Sequence, residues 1–191
     1  RDWSSDVCSS DLLGARHIKV GPDMANTTWP LEHMNERFAA LCELAAGANC
    51  GVVLEIMPWS NLASVDSGVE VVAGAGCSNG GLLIDIWHMV RGGNDFSTIE
   101  TIPAGLIHHV EINDAADEIV GSLFDDTINH RRHCGHGGFD LPAFIRALDR
   151  QGYDGPVGIE ILSETERQRP FVDVLNDAIA GARQQYTQAR R

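Results

Sequence analysis

The sequence predicts an α/β protein built from parallel β/α units. Short apolar runs, typical of strands that are buried on both faces, alternate with longer segments whose apolar residues recur at helical spacing. Hydrophobic side chains make up 43% of the 191 residues, which is enough for the core of one sizeable domain. Because strands and helices that alternate in this way form parallel sheets, we expect one domain of that class.

Five apolar runs are predicted to be strands. The first ends at Gly21-Pro22, the second at Pro58 and the fourth at Asn113-Asp114, all of which are residues that interrupt strands. The third run, LLIDIWH, carries an acid and an imidazole at its C-terminal tip, where an unpaired carboxylate is costly to bury. In chain order, the predicted strands cover residues 15–21, 51–57, 82–88, 106–112 and 156–162.

Helices are predicted between the strands. One clear helix has Pro30 at its start and Gly47 at its end. A second is predicted to begin after Asp140, which can cap it, and to end near Gly152. The predicted helices cover residues 31–45, 62–75, 96–102, 141–150 and 171–188, and a long polar loop is predicted to run to Gly138.

Charge and cysteine content narrow the function classes. A formal net charge of −13 argues against broad affinity for nucleic acid or for anionic membranes. No apolar run reaches the roughly 18 to 20 residues of a membrane span. The cysteines are odd in number and form no Cys-x-x-Cys pair, which favours reduced thiols in a cytoplasmic protein. They are Cys8, Cys42, Cys50, Cys77 and Cys134.

Residues 1–12, RDWSSDVCSSDL, are predicted to be non-native. They have neither the apolar core of a signal peptide nor the Arg-rich character of a transit peptide, and they resemble the translation of a sequencing-adapter oligonucleotide. The alternative is a disordered natural tail. On the first interpretation the natural domain covers residues 13–191, carries −11 of the net charge and is a fragment of a longer protein.

Four of the five predicted strands carry a carboxylate near their C-terminal ends. In a β/α barrel all these ends open on one face, so acids far apart in the sequence can converge there. Converging carboxylates in a partly desolvated site repel one another unless a cation neutralises them. The alternative is that each acid separately pairs with an Arg or caps a helix. The four acids are Glu55, Asp85, Glu111 and Glu160.

The same stretches resemble the sugar phosphate isomerase/epimerase family of xylose isomerase-like TIM barrels. The resemblance runs from about residue 13 to residue 169, and it implies a (β/α)8 TIM barrel, N-terminally truncated here to roughly its last five β/α units. Because five strands cannot close an eight-stranded barrel, we expect this polypeptide alone to be aggregation-prone or to need its missing strands for activity, and therefore to be inactive by itself. The motifs are LEIMPW with Glu55, IDIWH with Asp85 and His88, HVEIND with Glu111, GHGGFD before a helix, and GYDGPVGIEIL with Glu160.

The resemblance also implies a ligand set. The acids matching Glu55, Asp85 and Glu160 bind a divalent metal, together with a group at the position of Glu111, where many members have His. A carboxylate in place of that imidazole shifts the preference toward the harder ions Mn²⁺ or Mg²⁺, while an imidazole nearby leaves Co²⁺, Fe²⁺ or Zn²⁺ as alternatives.

Three further residues are candidate substrate contacts. By the same matching, His88 resembles a contact to a substrate hydroxyl and Arg131 a contact to a substrate oxygen or phosphate. The alternatives are a structural histidine and a solvated loop arginine. His109, two residues before Glu111, can line the pocket from the same strand face. Lys19 points either inward or outward to solvent.

These residues favour a metal-dependent isomerase or epimerase of a sugar or sugar phosphate. Glu55 and Glu160 would act as base and acid on a carbon next to a carbonyl, through an enediolate. The alternatives are a dehydratase of a cyclic polyol, a phosphoesterase of the apurinic-endonuclease branch, which calls for more His ligands and a basic surface, and a non-catalytic fragment. We expect no nucleic-acid or membrane partner, and a homo-oligomer of the full-length protein is compatible with the sequence.

Overall fold

A computed structural model describes residues 13–191, so the adapter-like segment 1–12 and Cys8 lie outside the described residues. The described chain divides into two compact units. The first contains residues 13–84 and 102–109, and the second contains residues 85–101 and 110–191. Each unit is therefore interrupted in sequence, and two of its boundaries fall inside strands, after Ile84 and after His109.

Within the described residues, five parallel strands form one sheet in the order of the sequence, which confirms the predicted α/β class. In the first unit, Val52 of the second strand pairs with Gly80 of the third. In the second unit, Val110 of the fourth strand pairs with Val157 of the fifth. The strands are β1 (His17–Val20), β2 (Gly51–Glu55), β3 (Gly80–Asp85), β4 (Ile107–Ile112) and β5 (Val157–Ile159).

The helices of the first unit are α1 (Leu31–Ala46) and α2 (Val65–Ala75). Pro30 precedes α1, as its fixed φ favours, and Ser64 caps α2 by accepting a hydrogen bond from the Ser67 N–H at 3.2 Å. Gly76 ends α2 with φ 65°, a left-handed conformation that suits glycine. Both helices follow the predictions closely because their apolar residues recur at helical spacing.

The second unit begins within β3 and holds the remaining helices. Asp140 caps the helix over residues 141–151 by accepting a hydrogen bond from the Ala143 N–H at 2.9 Å. The helices are α3 (Ile86–Arg91), α4 (Leu123–Asn129), α5 (Leu141–Gln151) and α6 (Phe171–Ala189), with 3-10 helices at Phe96–Thr101 and Glu166–Gln168.

Three predictions differ clearly from the structure. The strand predicted over residues 82–88 ends at Asp85, because the Asp85 carboxylate accepts a hydrogen bond from the Trp87 N–H and starts α3. The predicted polar loop contains α4, which Ser122 caps at the Asp125 N–H. The last strand is shorter than predicted, and Glu160 follows it directly.

In the described part of the chain, none of the helices is both long enough and apolar enough to span a bilayer.

Candidate metal centre

Three carboxylates of the second unit lie close together at the C-terminal ends of neighbouring strands. They belong to Asp85 of β3, Glu111 of β4 and Glu160, which follows β5. One oxygen of each lies within 4.8 Å of one oxygen of each of the others. Asp85 and Glu111 are buried, and the Glu160 side chain is 28% exposed. Like charges repel strongly in a desolvated site, so a neighbouring positive charge would stabilise this cluster.

Backbone pairing brings Glu160 to this position. Ile112 of β4 pairs with Ile159 of β5, and the Glu160 N–H then donates to the Ile112 carbonyl oxygen at 3.2 Å. The ladder thus extends one residue beyond the strand. Glu160 is therefore held beside the end of β4 by the backbone.

Both oxygens of Asp85 are engaged. Oδ1 accepts hydrogen bonds from the Trp87 N–H at 2.7 Å and from Asn113 Nδ2 at 3.0 Å, and Oδ2 accepts one from Arg131 Nη1 at 2.6 Å. Burial opposes ionisation of this carboxyl, but Arg131, His88 and the Asn113 amide outweigh it and hold the pKa of Asp85 below its usual range. Asp85 is therefore charged at neutral pH.

Arg131 is the cation that faces these acids. Its Nη1 donates to Asp85 and, at 3.0 Å, to Glu160 Oε2. Its Nε and Nη2 donate to the Thr127 hydroxyl at 3.2 and 2.7 Å, and its guanidinium carbon lies 5.3 Å from the centre of the Trp87 ring. The arginine is only 2% exposed. The sequence singled out Arg131, whereas Thr127 lies in α4, which the sequence analysis missed.

A second buried acid, Asp126, holds the Trp87 ring against which the Arg131 guanidinium packs. Asp126 is fully buried and accepts hydrogen bonds from Trp87 Nε1 at 3.1 Å, from Arg91 Nε at 2.9 Å and from the Val120 N–H at 2.9 Å. Sequence reasoning did not identify Asp126. The available signal was an Asp-Asp pair after Ser122, which is compatible with a helix start.

Asp114 holds the glycine-rich turn that carries one of the sequence motifs. Its carboxylate accepts hydrogen bonds from the N–H groups of Gly135 and Gly137, both at 2.9 Å, and of Phe139 at 3.0 Å. A Cβ on Gly137 would lie 2.0 Å from the Ala115 carbonyl oxygen, so only glycine fits there. This motif is therefore structural in the described chain.

The first unit holds the remaining candidates. Glu55, at the end of β2, is buried and accepts a hydrogen bond from Lys19 Nζ at 3.3 Å. The rings of His17 and His109 lie 4.7 Å apart. Burial, helped by the nearby His17 and Lys19, lowers the pKa of His109 to about 4, although Glu55 opposes the shift. His109 is therefore neutral at pH 7.

The predicted site residues divide between the two units. Asp85, Glu111, Glu160 and Arg131 come together in the second, where a ring nitrogen of His88 lies within 4.8 Å of an Asp85 oxygen. The sequence analysis placed His88 at the tip of a strand, but in the structure it lies in α3. Glu55 and His109 lie in the first unit, beside Lys19 and His17.

A family model described as xylose isomerase-like TIM barrel matches residues 10–185. An inosose isomerase of Halalkalibacterium halodurans is 29% identical over 123 residues, which are 63% of this chain and 43% of that protein. A 3-dehydroshikimate dehydratase of Pseudomonas aeruginosa is 29% identical over 135 residues, 68% of this chain and 20% of that protein. The chain thus spans less than half the length of either relative.

Solved structures show the same fold at low sequence identity. The IolI protein, whose crystal structure contains a bound zinc atom, matches with a TM-score of 0.88 and 18% identity, over 98% of this chain and 69% of its own. An L-ribulose 3-epimerase matches with a TM-score of 0.72 and 22% identity, over 98% of this chain and 67% of its own.

Proposed function

The chain belongs to the family of xylose isomerase-like TIM barrels, and from this premise we propose that the protein is a divalent-metal-dependent isomerase or epimerase of a sugar or sugar phosphate. One observation carries the proposal. Asp85, Glu111 and Glu160 bring three carboxylate oxygens within 4.8 Å of one another at the ends of adjacent strands. The inosose isomerase relative supports a small polyhydroxy substrate.

The donor set fits a divalent cation. Asp85, Glu111 and Glu160 would hold it, and we propose Glu55 as the fourth ligand, because Glu55 pairs in register with Leu83, two residues before Asp85 on the adjacent strand. An all-carboxylate set favours Mn²⁺ or Mg²⁺, with Co²⁺, Fe²⁺ or Zn²⁺ as alternatives beside His88. When bound, the metal would polarise the substrate carbonyl and disperse the charge of an enediolate.

In this proposal two glutamates move the proton. Glu160, whose side chain is 28% exposed, and Glu55 act as base and acid on the carbon next to the carbonyl. Return of the proton to the other face of that carbon gives an epimer, and delivery to the neighbouring carbon gives an isomer. His88, His109 and Arg131 would orient substrate oxygens, with His109 acting as a neutral imidazole.

A dehydratase is the second candidate, and the 3-dehydroshikimate dehydratase relative favours it. The same base would remove the proton next to the carbonyl, and a hydroxyl on the adjacent carbon would then leave as water. Both reactions begin with removal of the same proton. An epimerase or isomerase then returns a proton to carbon, whereas a dehydratase breaks the C–O bond on the adjacent carbon and releases water.

Metal binding and proton exchange test the proposal together. Adding Mn²⁺ to the full-length protein should raise its melting temperature, because a ligand that binds only the folded state stabilises it. Glu160→Gln should abolish that shift and the exchange of substrate protons in D₂O, measured by NMR on a panel of ketoses and inososes. The control Glu164→Gln changes an exposed neighbour outside the cluster and should retain both. If no divalent ion changes the melting temperature of the wild type, the proposal is wrong.

A further inference from the structure

We propose that Arg131 is an internal counter-ion that sets the metal affinity of the acid cluster. In the structure, one guanidinium nitrogen, Nη1, donates to both Asp85 Oδ2 and Glu160 Oε2, at 2.6 and 3.0 Å. A cation held by Asp85 and Glu160 would occupy the region between the same two carboxylates. The arginine and the metal would therefore neutralise the same charges. This inference rests on the proposed function only in assuming that a metal binds.

Arg131 is built into this position. Thr127 accepts hydrogen bonds from Nε and Nη2, and the Trp87 ring faces the guanidinium at 5.3 Å. The Arg131 N–H also donates to the Leu162 carbonyl oxygen at 3.1 Å, which ties the residue to the segment after β5. With 2% exposure, its charge is screened less by water and salt than that of an exposed arginine.

Two consequences follow from this placement. Without metal, Arg131 keeps the acids from repelling one another and thus preserves the arrangement of the site. With metal, the same fixed positive charge lowers the affinity for a second cation. Loss of the charge should therefore destabilise the metal-free protein and tighten metal binding.

The test compares Arg131→Met with the wild type and with Arg132→Gln. Arg132 is the next residue, is exposed and donates to the His136 carbonyl oxygen. Arg132→Gln therefore removes the same charge as Arg131→Met, but at a solvated position. Mn²⁺ affinity is measured by calorimetry, and the melting temperature is measured in EDTA. We expect Arg131→Met to melt at a lower temperature without metal and to bind Mn²⁺ at least tenfold more tightly, with Arg132→Gln within threefold of the wild type. A gain below tenfold for Arg131→Met would overturn the counter-ion role.

Arg131→Lys keeps the inference testable if the methionine variant does not fold with or without Mn²⁺. Because lysine retains the charge, its Mn²⁺ affinity should stay within threefold of the wild type, and a larger change would overturn the inference. A wild type that binds no Mn²⁺ would instead contradict the proposed function itself. The two failures are therefore distinguishable.

Discussion

At the scale of single residues, Asp85 shows how one carboxylate serves both the fold and the site. Oδ1 accepts the hydrogen bond that starts α3, and Oδ2 faces Arg131. Because fixed donors engage both oxygens, the carboxylate has one orientation before any ligand arrives. The sequence predicted a polar group at the end of a buried strand, but it could not show that the same group ends the strand by capping a helix.

Glu166 offers a test of acid stability away from the proposed ligands. It accepts hydrogen bonds from His133 Nε2 at 2.9 Å and Arg169 Nη1 at 2.7 Å. Burial opposes its ionisation, but these two partners outweigh it and lower the pKa of Glu166. A lowered pKa adds stability above the usual carboxyl pKa, and that stability is lost as pH falls through the folded-state value.

We therefore expect Glu166→Gln to be less stable than the wild type near neutral pH, with the difference shrinking as the pH falls below the usual carboxyl pKa and through the lowered folded-state value. Urea unfolding at several pH values measures it. Glu164→Gln, which changes an exposed acid two residues away, is the control and should show a smaller and flatter difference. A deficit for Glu166→Gln that is equal at neutral and acid pH would contradict the assignment.

At the scale of elements, apolar residues at helical spacing made α1, α2, α5 and α6 predictable, and α2 and α5 also have side-chain N-caps. α4 was not predictable, because its seven residues include one exposed phenylalanine, Phe124, and two acids, a pattern typical of a loop. It nevertheless provides Thr127 and Asp126, which support Arg131 and Trp87. Contacts made far along the chain thus stabilise a helix whose own sequence is weak.

Close packing of α2 on the sheet leads to a prediction about Gly68. A Cβ there would lie 2.8 Å from Ile56 Cγ2 and 3.0 Å from Leu82 Cδ2, both in fully buried side chains. Alanine favours a helix over glycine by up to about 1 kcal/mol, but overpacking a core typically costs about 1 to 3 kcal/mol. We expect Gly68→Ala to lower the free energy of unfolding by roughly 1 kcal/mol or more, measured in urea.

Glu70→Ala is the matched control for Gly68→Ala. It changes an exposed residue of the same helix, and it should alter stability by no more than about 0.5 kcal/mol. A stabilised Gly68→Ala would show that Ile56 and Leu82 can move aside, so that helix propensity decides the outcome.

At the scale of the whole molecule, the alternation of strands and helices predicted the parallel sheet, and its order follows the sequence. The division into two units was not predictable, because it depends on which contacts lie within each unit and cuts through β3 and β4. The acids could be assigned to strand ends, since the apolar runs and the Gly, Pro, Asn or Asp residues after them locate those ends. Their partners could not, since Arg131 and Lys19 pair with acids 46 and 36 residues away.

The proposed four-acid site predicts how metal affects the two units. Glu55 belongs to the first, whereas Asp85, Glu111 and Glu160 belong to the second. If all four hold one ion, Mn²⁺ should slow amide hydrogen exchange at the end of β2 as well as around Asp85, Glu111 and Glu160, because opening either unit would release the ion. Hydrogen exchange with mass spectrometry, with and without Mn²⁺, measures this, and Glu55→Gln should remove the protection of β2. Glu43→Gln, an exposed change in α1, is the control. Protection confined to the second unit would remove Glu55 from the ligand set and leave a three-carboxylate site.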